Sequence, residues 1–149
     1  NRRVIEQMLP AMLRAAIVAG SPLALVMLDV DHFKRVNDEH GHKAGDAVLR
    51  GLVQLLRHRA RAVDLLFRMG GEEFVLLLPD TPEDAAAGVA EELRQAIAAT
   101  ALLDGKVVTA SLGVAAARPD DTVESWLRAA DAAMYAAKEA GRNRVARRA

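Results

Sequence analysis

The chain contains no cysteine. That removes disulfides and thiolate metal sites and fits a reducing compartment. It also lacks an excess of either charge: 20 basic residues balance 20 acidic ones, so no overall field recommends nucleic acid or an anionic membrane as a partner. Arg142, Arg144, Arg147 and Arg148 make the extreme end locally basic. No apolar run approaches the roughly 20 residues a membrane helix needs, and the opening "NRRVIEQMLPAMLRAA" lacks the order of regions of a signal peptide. The expectation is a soluble, cytoplasmic chain with no direct membrane contact. Repeats, low-complexity segments and linkers are missing too, which predicts one domain over residues 1–149. With 52% hydrophobic residues, a chain of this size buries roughly 70% of its unfolded surface.

What is present is a succession of apolar runs and helical stripes. Val4, Ile5, Met8, Leu9, Leu13, Ala16 and Ile17 recur at helical spacing, and Pro10 among them predicts a bend or a split. "SPLALVMLDVD" opens with a turn pair and continues apolar from Leu23 to Leu28, predicting a fully covered strand that ends at Asp29 or Asp31. "HFKRVNDEHGHKAGD" reads as a short helical turn and a polar loop, and Ala47 to Arg59 as a helix with a wide apolar stripe. Leu65 to Arg68 and Glu73 to Leu78 read as a hairpin whose Gly70 and Gly71 supply positive φ. In "DTPEDAAAGVAEELRQAI", Thr81 reads as the N-cap and Pro82 as the first helical residue. "KVVTASLGVAAA" reads as a strand. "DTVESWLRAADAAMYAAKEAG" reads as a helix capped by Asp121 and stopped by Gly141, with a last short strand at Arg144 to Ala146. This order predicts an α/β sandwich, one sheet with helices packed on it.

Four carboxylates, Asp29, Asp31, Glu72 and Glu73, stand at the ends of two predicted strands. If those strands are neighbours, the acids suit Mg²⁺, which takes carboxylate oxygens and keeps phosphate oxygens in the same shell. The plain alternative is that strand ends are wet and acids favour water. Gly70 and Gly71 serve either a turn or the close approach of a ligand to bare backbone. Lys138 and Arg142, four apart near the end of the last long helix, share a face that either clamps a polyphosphate or complements the helix dipole. Asn37 and Asp46 bracket "DEHGHKAG"; an aspartate accepts from the N1 hydrogen and N2 amino group of guanine together, although capping and turns use the same residues. His40 and His42 have no thiolate or third histidine nearby to complete a zinc site. Arg61 and Asp64 read, on their own, as an exposed ion pair worth little, and Trp126 and Met134 as core.

Several ordered blocks resemble one family. "GGEEF" (Gly70 to Phe74), "DVDHFKRVNDEHGHKAGD" (Asp29 to Asp46), "VTASLGVA" (Val108 to Ala115) and "DAAMYAAKEAGRNRV" (Asp131 to Val145) together resemble a GGDEF domain of the diguanylate cyclase type, over nearly the whole chain. The resemblance implies a mostly antiparallel central sheet flanked by helices, similar to the palm of polymerases and class III nucleotide cyclases. It implies that Asp29, the carbonyl of Val30 and Glu72 hold Mg²⁺ (or Mn²⁺), with Glu73 as a second metal ligand. Glu72 would also take the proton from a ribose 3′-hydroxyl, and Lys34 would steady phosphate charge. Asn37, His42 and Asp46 would bind the nucleotide, Asn37 and Asp46 reading guanine. Lys138 and Arg142 would grip the terminal phosphates, and Gly70 and Gly71 would lie under the triphosphate. The implied reaction joins two GTP into cyclic di-GMP and releases two pyrophosphates across a face-to-face homodimer.

"RAVD" (Arg61 to Asp64) resembles the family's product-inhibitory RxxD site. There Arg61 would contact guanine and phosphate of intercalated cyclic di-GMP and Asp64 a guanine edge, with Arg94 from the next helix as a further contact. The chain departs from the family at its start, where the usual "DxLTGLxNRR" is met only by Asn1-Arg2-Arg3. The expectation is a first helix short of an anchor and a looser cleft. No sensory or dimerising domain is read in these residues, so the resemblance implies a catalytic module with its regulatory domain outside the chain, as the cytoplasmic portion of a larger, even membrane-bound, protein. Two other readings stand beside the cyclase: a catalytically silent receptor for GTP or cyclic di-GMP, and a single-substrate nucleotide cyclase or polymerase-like palm.

Overall fold

Alternation along the strands decides the architecture. The computed structural model describes residues 2–149, and Asn1, part of the Asn1–Arg3 stretch, lies outside the described residues. Among those described, the order is α1 (Arg2–Ala19), β1 (Leu23–Val30), α2 (Phe33–His40), α3 (His42–Arg59), β2 (Leu65–Gly70), β3 (Glu73–Pro79), α4 (Glu83–Ala99), β4 (Ala110–Ala116), α5 (Val123–Glu139) and β5 (Arg144–Arg147). The strands form one sheet in the order β2-β3-β1-β4-β5, antiparallel throughout except for the parallel β4–β5 pair. This is the expected mostly antiparallel sheet between helices.

Every residue of β1 is buried, because the strand is central and both faces are covered. Its even-numbered residues, Ala24, Val26, Leu28 and Val30, pack with Phe74, Leu76 and Leu112 under α2, α3 and α4. Its odd-numbered residues, Leu23, Leu25 and Met27, pack with Val75 and Leu77 under α1 and α5. Full burial of a side chain of this size contributes about 1.5–3 kcal/mol, so the two layers together supply the main driving force. On the second face α5 lies unusually close to β4: a Cβ at Gly113 would collide with the Ala130 carbonyl and the Met134 amide.

Four local expectations are corrected. α1 is not split at Pro10 but continues through it; the helix-interior penalty of about 3 kcal/mol is offset by Ile5, Leu9 and Leu13, buried in one stripe against the sheet. The expected polar loop is replaced by the end of α2 and the start of α3, joined at the single residue Gly41 with φ 88°. α4 has Pro82 as its N-cap, and buried Thr81 instead donates its hydroxyl to the Pro79 carbonyl (2.8 Å). α5 is capped one residue later than expected, by a reciprocal box of Thr122 and Ser125. Asp121 is left to the buried guanidinium of Arg148 (2.7 Å). Burial pushes that carboxyl up, but hydrogen bonds from Arg148, the Arg118 amide and Ser125 outweigh it and hold its pKa below the ordinary value. No helix among the described residues is long and apolar enough to cross a membrane.

Candidate active site

Antiparallel pairing sets Asp29 of β1 directly opposite Glu73 of β3. Both continue the odd-numbered series, so both point to the face covered by α5. Like charges placed directly opposite destabilise a strand pair. Among the described residues the cation bonded to this pair is Lys138, in the last turn of α5, whose Nζ donates to Asp29 Oδ2. Asp29 is only 7% exposed, and its Oδ1 is buried with no hydrogen-bond partner among the described residues. Burial is the main force raising the Asp29 pKa; Lys138 opposes it, while the charges of Glu72 and Asp31 add to it. For Glu73 burial again leads, followed by repulsion from Asp131 and Asp29, with Lys138 opposing. The site is an acidic end of the sheet held together by one lysine.

Hard oxygen donors, mutual repulsion and an orphaned buried Oδ1 fit a hard divalent cation. No three Asp, Glu or His side chains among the described residues converge as a ready-made metal cage. Mg²⁺ does not need one, since it is usually held by one or two carboxylates with phosphate oxygens and water completing the shell. The Val30 amide donates to the Glu72 carbonyl (3.4 Å), drawing the hairpin turn against the exit of β1.

The hairpin glycines behave differently from expectation. Neither Gly70 nor Gly71 has positive φ, so the turn does not require them for that. A Cβ at either would meet nothing within 4 Å, so packing does not require them either. What remains is bare backbone beside the carboxylates. Arg68 braces the turn from below, Nε donating to the Gly71 carbonyl (2.9 Å).

Asp31, grouped with the other acids by sequence, is used otherwise. It is 5% exposed and accepts from Thr109 Oγ1 (2.7 Å), Ser111 Oγ (2.6 Å) and the Asn143 amide (2.9 Å). Arg142 is corrected as well. α5 ends at Glu139, and Arg142 lies beyond it at φ 63°, so it does not share a helix face with Lys138. A Schellman closure makes the turn: the Gly141 amide bonds to the Lys138 carbonyl (3.3 Å) and the Arg142 amide to that of Ala137 (3.0 Å).

Asn37 is half-buried, its Oδ1 lying against Gly45, where any Cβ would collide with it. His42 is the first residue of α3, and Asp46 is one turn further on, both exposed, as is Lys34 near the start of α2. Asp46 opens a cleft of about 380 Å³ between α3 and β2, lined also by Arg50, Arg57 and Arg68. These arginines were not singled out from sequence, and neither was Asp131. The signal for two was available: Arg50 is four residues after Asp46, and Arg68 stands just before the glycine pair.

Arg61 and Asp64 lie at the other end of the sheet, where Pro79 pairs with Leu23. The Arg61 guanidinium donates to Asp64 Oδ1 (2.7 Å), the Pro79 carbonyl (2.9 Å) and Thr81 Oγ1 (2.8 Å). The Asp64 side chain is only 4% exposed while that of Arg61 is 51% exposed, so this is not the freely exposed pair expected. Arg94 is not brought to it. Arg94 bonds to Glu91 and to Asn143 Oδ1 (2.9 Å), beside the start of β5 and therefore at the carboxylate end.

Residues 1–144 match the family model described as "Diguanylate cyclase, GGDEF domain". The chain belongs to the GGDEF domain family. This GGDEF domain is 44% identical to "Diguanylate cyclase DgcM" of Escherichia coli strain K12 over 122 residues, covering 82% of this chain and 30% of that protein. Its fold matches the crystal structure of the GGDEF domain of DgcB from Caulobacter crescentus in complex with c-di-GMP, with a TM-score of 0.93 and 33% identity, over 99% of this chain and 90% of that one. It also matches the active GGEEF domain of a diguanylate cyclase from Vibrio cholerae, with a TM-score of 0.90 and 30% identity, over 100% and 96% of the two chains. The domain spans a third or less of the curated relatives it matches, 33% of the response regulator PleD of Caulobacter vibrioides and 22% of DgcP of Pseudomonas aeruginosa.

The raised pKa values have a definite consequence for stability. A carboxyl that binds its proton more tightly folded than unfolded stabilises the domain at acid pH, and that contribution is lost as pH rises through the folded value. Without a cation, the wild-type domain is therefore strained at neutral pH. Glu73→Gln is expected to melt higher than wild type at pH 7 in chelator, with the gap closing as pH falls below the ordinary glutamate value of 4.5. Thermal unfolding across that range checks it, and an equal or lower melting temperature at pH 7 refutes the repulsion.

Proposed function

We propose that this GGDEF domain condenses two GTP into cyclic di-GMP with release of two pyrophosphates, using Mg²⁺ (or Mn²⁺) and working as a face-to-face homodimer. The observation that carries the reading is the Asp29–Glu73 opposition with its unpartnered buried Oδ1. An acidic end of this kind is stabilised by a divalent cation arriving with a triphosphate. The relatives agree in kind: DgcM is named a diguanylate cyclase, and the DgcB domain was solved with c-di-GMP.

In this reading Asp29, the Val30 carbonyl and Glu72 hold the cation, with Glu73 as a second ligand. When bound, the cation would spread the charge that develops on the phosphate under attack. The protein's own part is positioning and charge, which phosphoryl chemistry chiefly demands. Glu72, at the hairpin turn, accepts the proton of the attacking 3′-hydroxyl. Gly70 and Gly71 let the triphosphate lie against the main chain, Lys34 steadies its charge, and Asn37, His42 and Asp46 take the nucleotide, with guanine read by Asn37 and Asp46. Lys138 leaves Asp29 for the terminal phosphates, which Arg142 also grips. Each copy holds one GTP, so the reaction requires two.

Product inhibition is assigned to Arg61, whose half-exposed guanidinium is held in place by the nearly buried Asp64. Among the described residues Arg94 shares no partner with Arg61, being bonded to Glu91 and Asn143 instead. A regulatory domain outside these residues would set the dimer, and the cytoplasm, where GTP is available, is the proposed location.

Incubating the concentrated domain, and a coiled-coil-fused dimer, with GTP and Mg²⁺ tests the activity by chromatography and mass. Cyclic di-GMP is expected, at a rate per molecule that climbs with concentration for the unfused domain, and Glu72→Gln should lower turnover at least about 100-fold. GTP binding without product from the forced dimer would favour the silent receptor, and a monomeric cyclic nucleotide would favour the single-substrate cyclase. In the same assay Arg61→Ala should relieve inhibition by added cyclic di-GMP, and an unchanged inhibition curve would refute that assignment.

A further inference from the structure

Asp31 is a buried carboxylate that the proposed chemistry leaves without a task. Its three donors come from two parts of the chain: Thr109 just before β4 and Ser111 near its start, and the Asn143 amide between α5 and β5. Its own amide bonds to the Thr109 carbonyl (2.9 Å). Three non-glycine residues on or beside this knot have an uncommon backbone: His32 has φ 55°, Arg142 φ 63° and Asn143 φ 47°. Left-handed geometry in such residues is held only where the surroundings over-determine it. At Asn143 those surroundings are visible. Its amide is fixed by Asp31 and its side-chain Oδ1 by Arg94 (2.9 Å), which Glu91 holds in turn.

Two ties on Asn143 therefore fix the residue next to Arg142, in a turn that begins two residues after the end of α5. We propose that Asp31 is a positioning residue for phosphate binding. It holds the Gly141–Asn143 turn in its left-handed form so that Arg142 leaves the backbone where the terminal phosphates lie, and Arg94 supports the same turn from the α4 side. The inference rests on the functional reading above, in which Arg142 grips those phosphates. It separates Asp31 from Asp29, two residues earlier: one acid holds protein, the other awaits a ligand.

The test is calorimetric binding of a GTP analogue with a methylene between its α- and β-phosphorus atoms, in Mg²⁺, to wild type, Asp31→Asn, Arg142→Ala and the double variant. Asn keeps the size of the side chain but turns a donor toward one of the three donors. Asp31→Asn should weaken analogue binding about tenfold while leaving GMP, which has no terminal phosphates, nearly unaffected. In the Arg142→Ala background it should add almost nothing, since both changes remove one interaction. Additive losses, or an equal loss for GMP, would overturn the positioning role and show only a structural tie. Arg94→Ala, which spares the buried knot, should give a smaller loss that also vanishes in Arg142→Ala, and it decides the matter if Asp31→Asn does not fold. An analogue that fails to bind wild type would defeat the functional reading itself and this inference with it.

Discussion

Two carboxylates facing each other across a buried strand pair are the constraint around which this domain is arranged. Asp29 and Glu73 meet because β1 and β3 are antiparallel neighbours in one register. A slip of one residue would turn the acid of the shifted strand to the opposite face of the sheet and break the packing of both apolar layers. The core that fixes the register therefore also fixes the repulsion, and the hydrophobic layers on both faces keep it in place. Lys138 meets part of the charge on Asp29, which α5 makes possible by lying close over Gly113.

The two aspartates at the exit of β1 show how position, rather than residue type, sets use. Asp31 has three donors and is satisfied within the protein. Among the described residues Asp29 has one lysine and an oxygen with no partner. Satisfied buried acids specify a shape, whereas unsatisfied ones raise the energy of the empty state and lower it when a cation arrives.

Much of this was legible in the sequence. Long apolar runs marked β1 and β3 because central strands need both faces covered, and the ordered motif blocks marked the family. The pairing of Asp29 with Glu73 was readable only as a condition, since register belongs to the folded sheet. Caps slipped by one residue because Asp121 and Thr122 are both good N-cap types, and the choice fell to the Arg148 pairing at the other end of the chain. Gly70 and Gly71 signalled a turn, but their φ values show that the glycine requirement lies elsewhere. For Arg142 the needed signal was present: Gly141 ends the helix, so a spacing of four from Lys138 crosses a terminus and no longer means a shared face. Arg94 is expected as a further contact from the next helix, and only the fold shows it bonded to Asn143 at the carboxylate end.

The central claim is that the Asp29–Glu73 pair is a cation site completed by a triphosphate. The most direct measurement is electron spin resonance of Mn²⁺ titrated into the domain with the methylene-bridged GTP analogue, comparing wild type with Asp29→Asn. With wild type, Mn²⁺ is expected to give the spectrum of a protein-bound ion only when the analogue is present, and with Asp29→Asn that of the small Mn²⁺–analogue complex tumbling free of the protein. Equal Mn²⁺ binding by both proteins would contradict it.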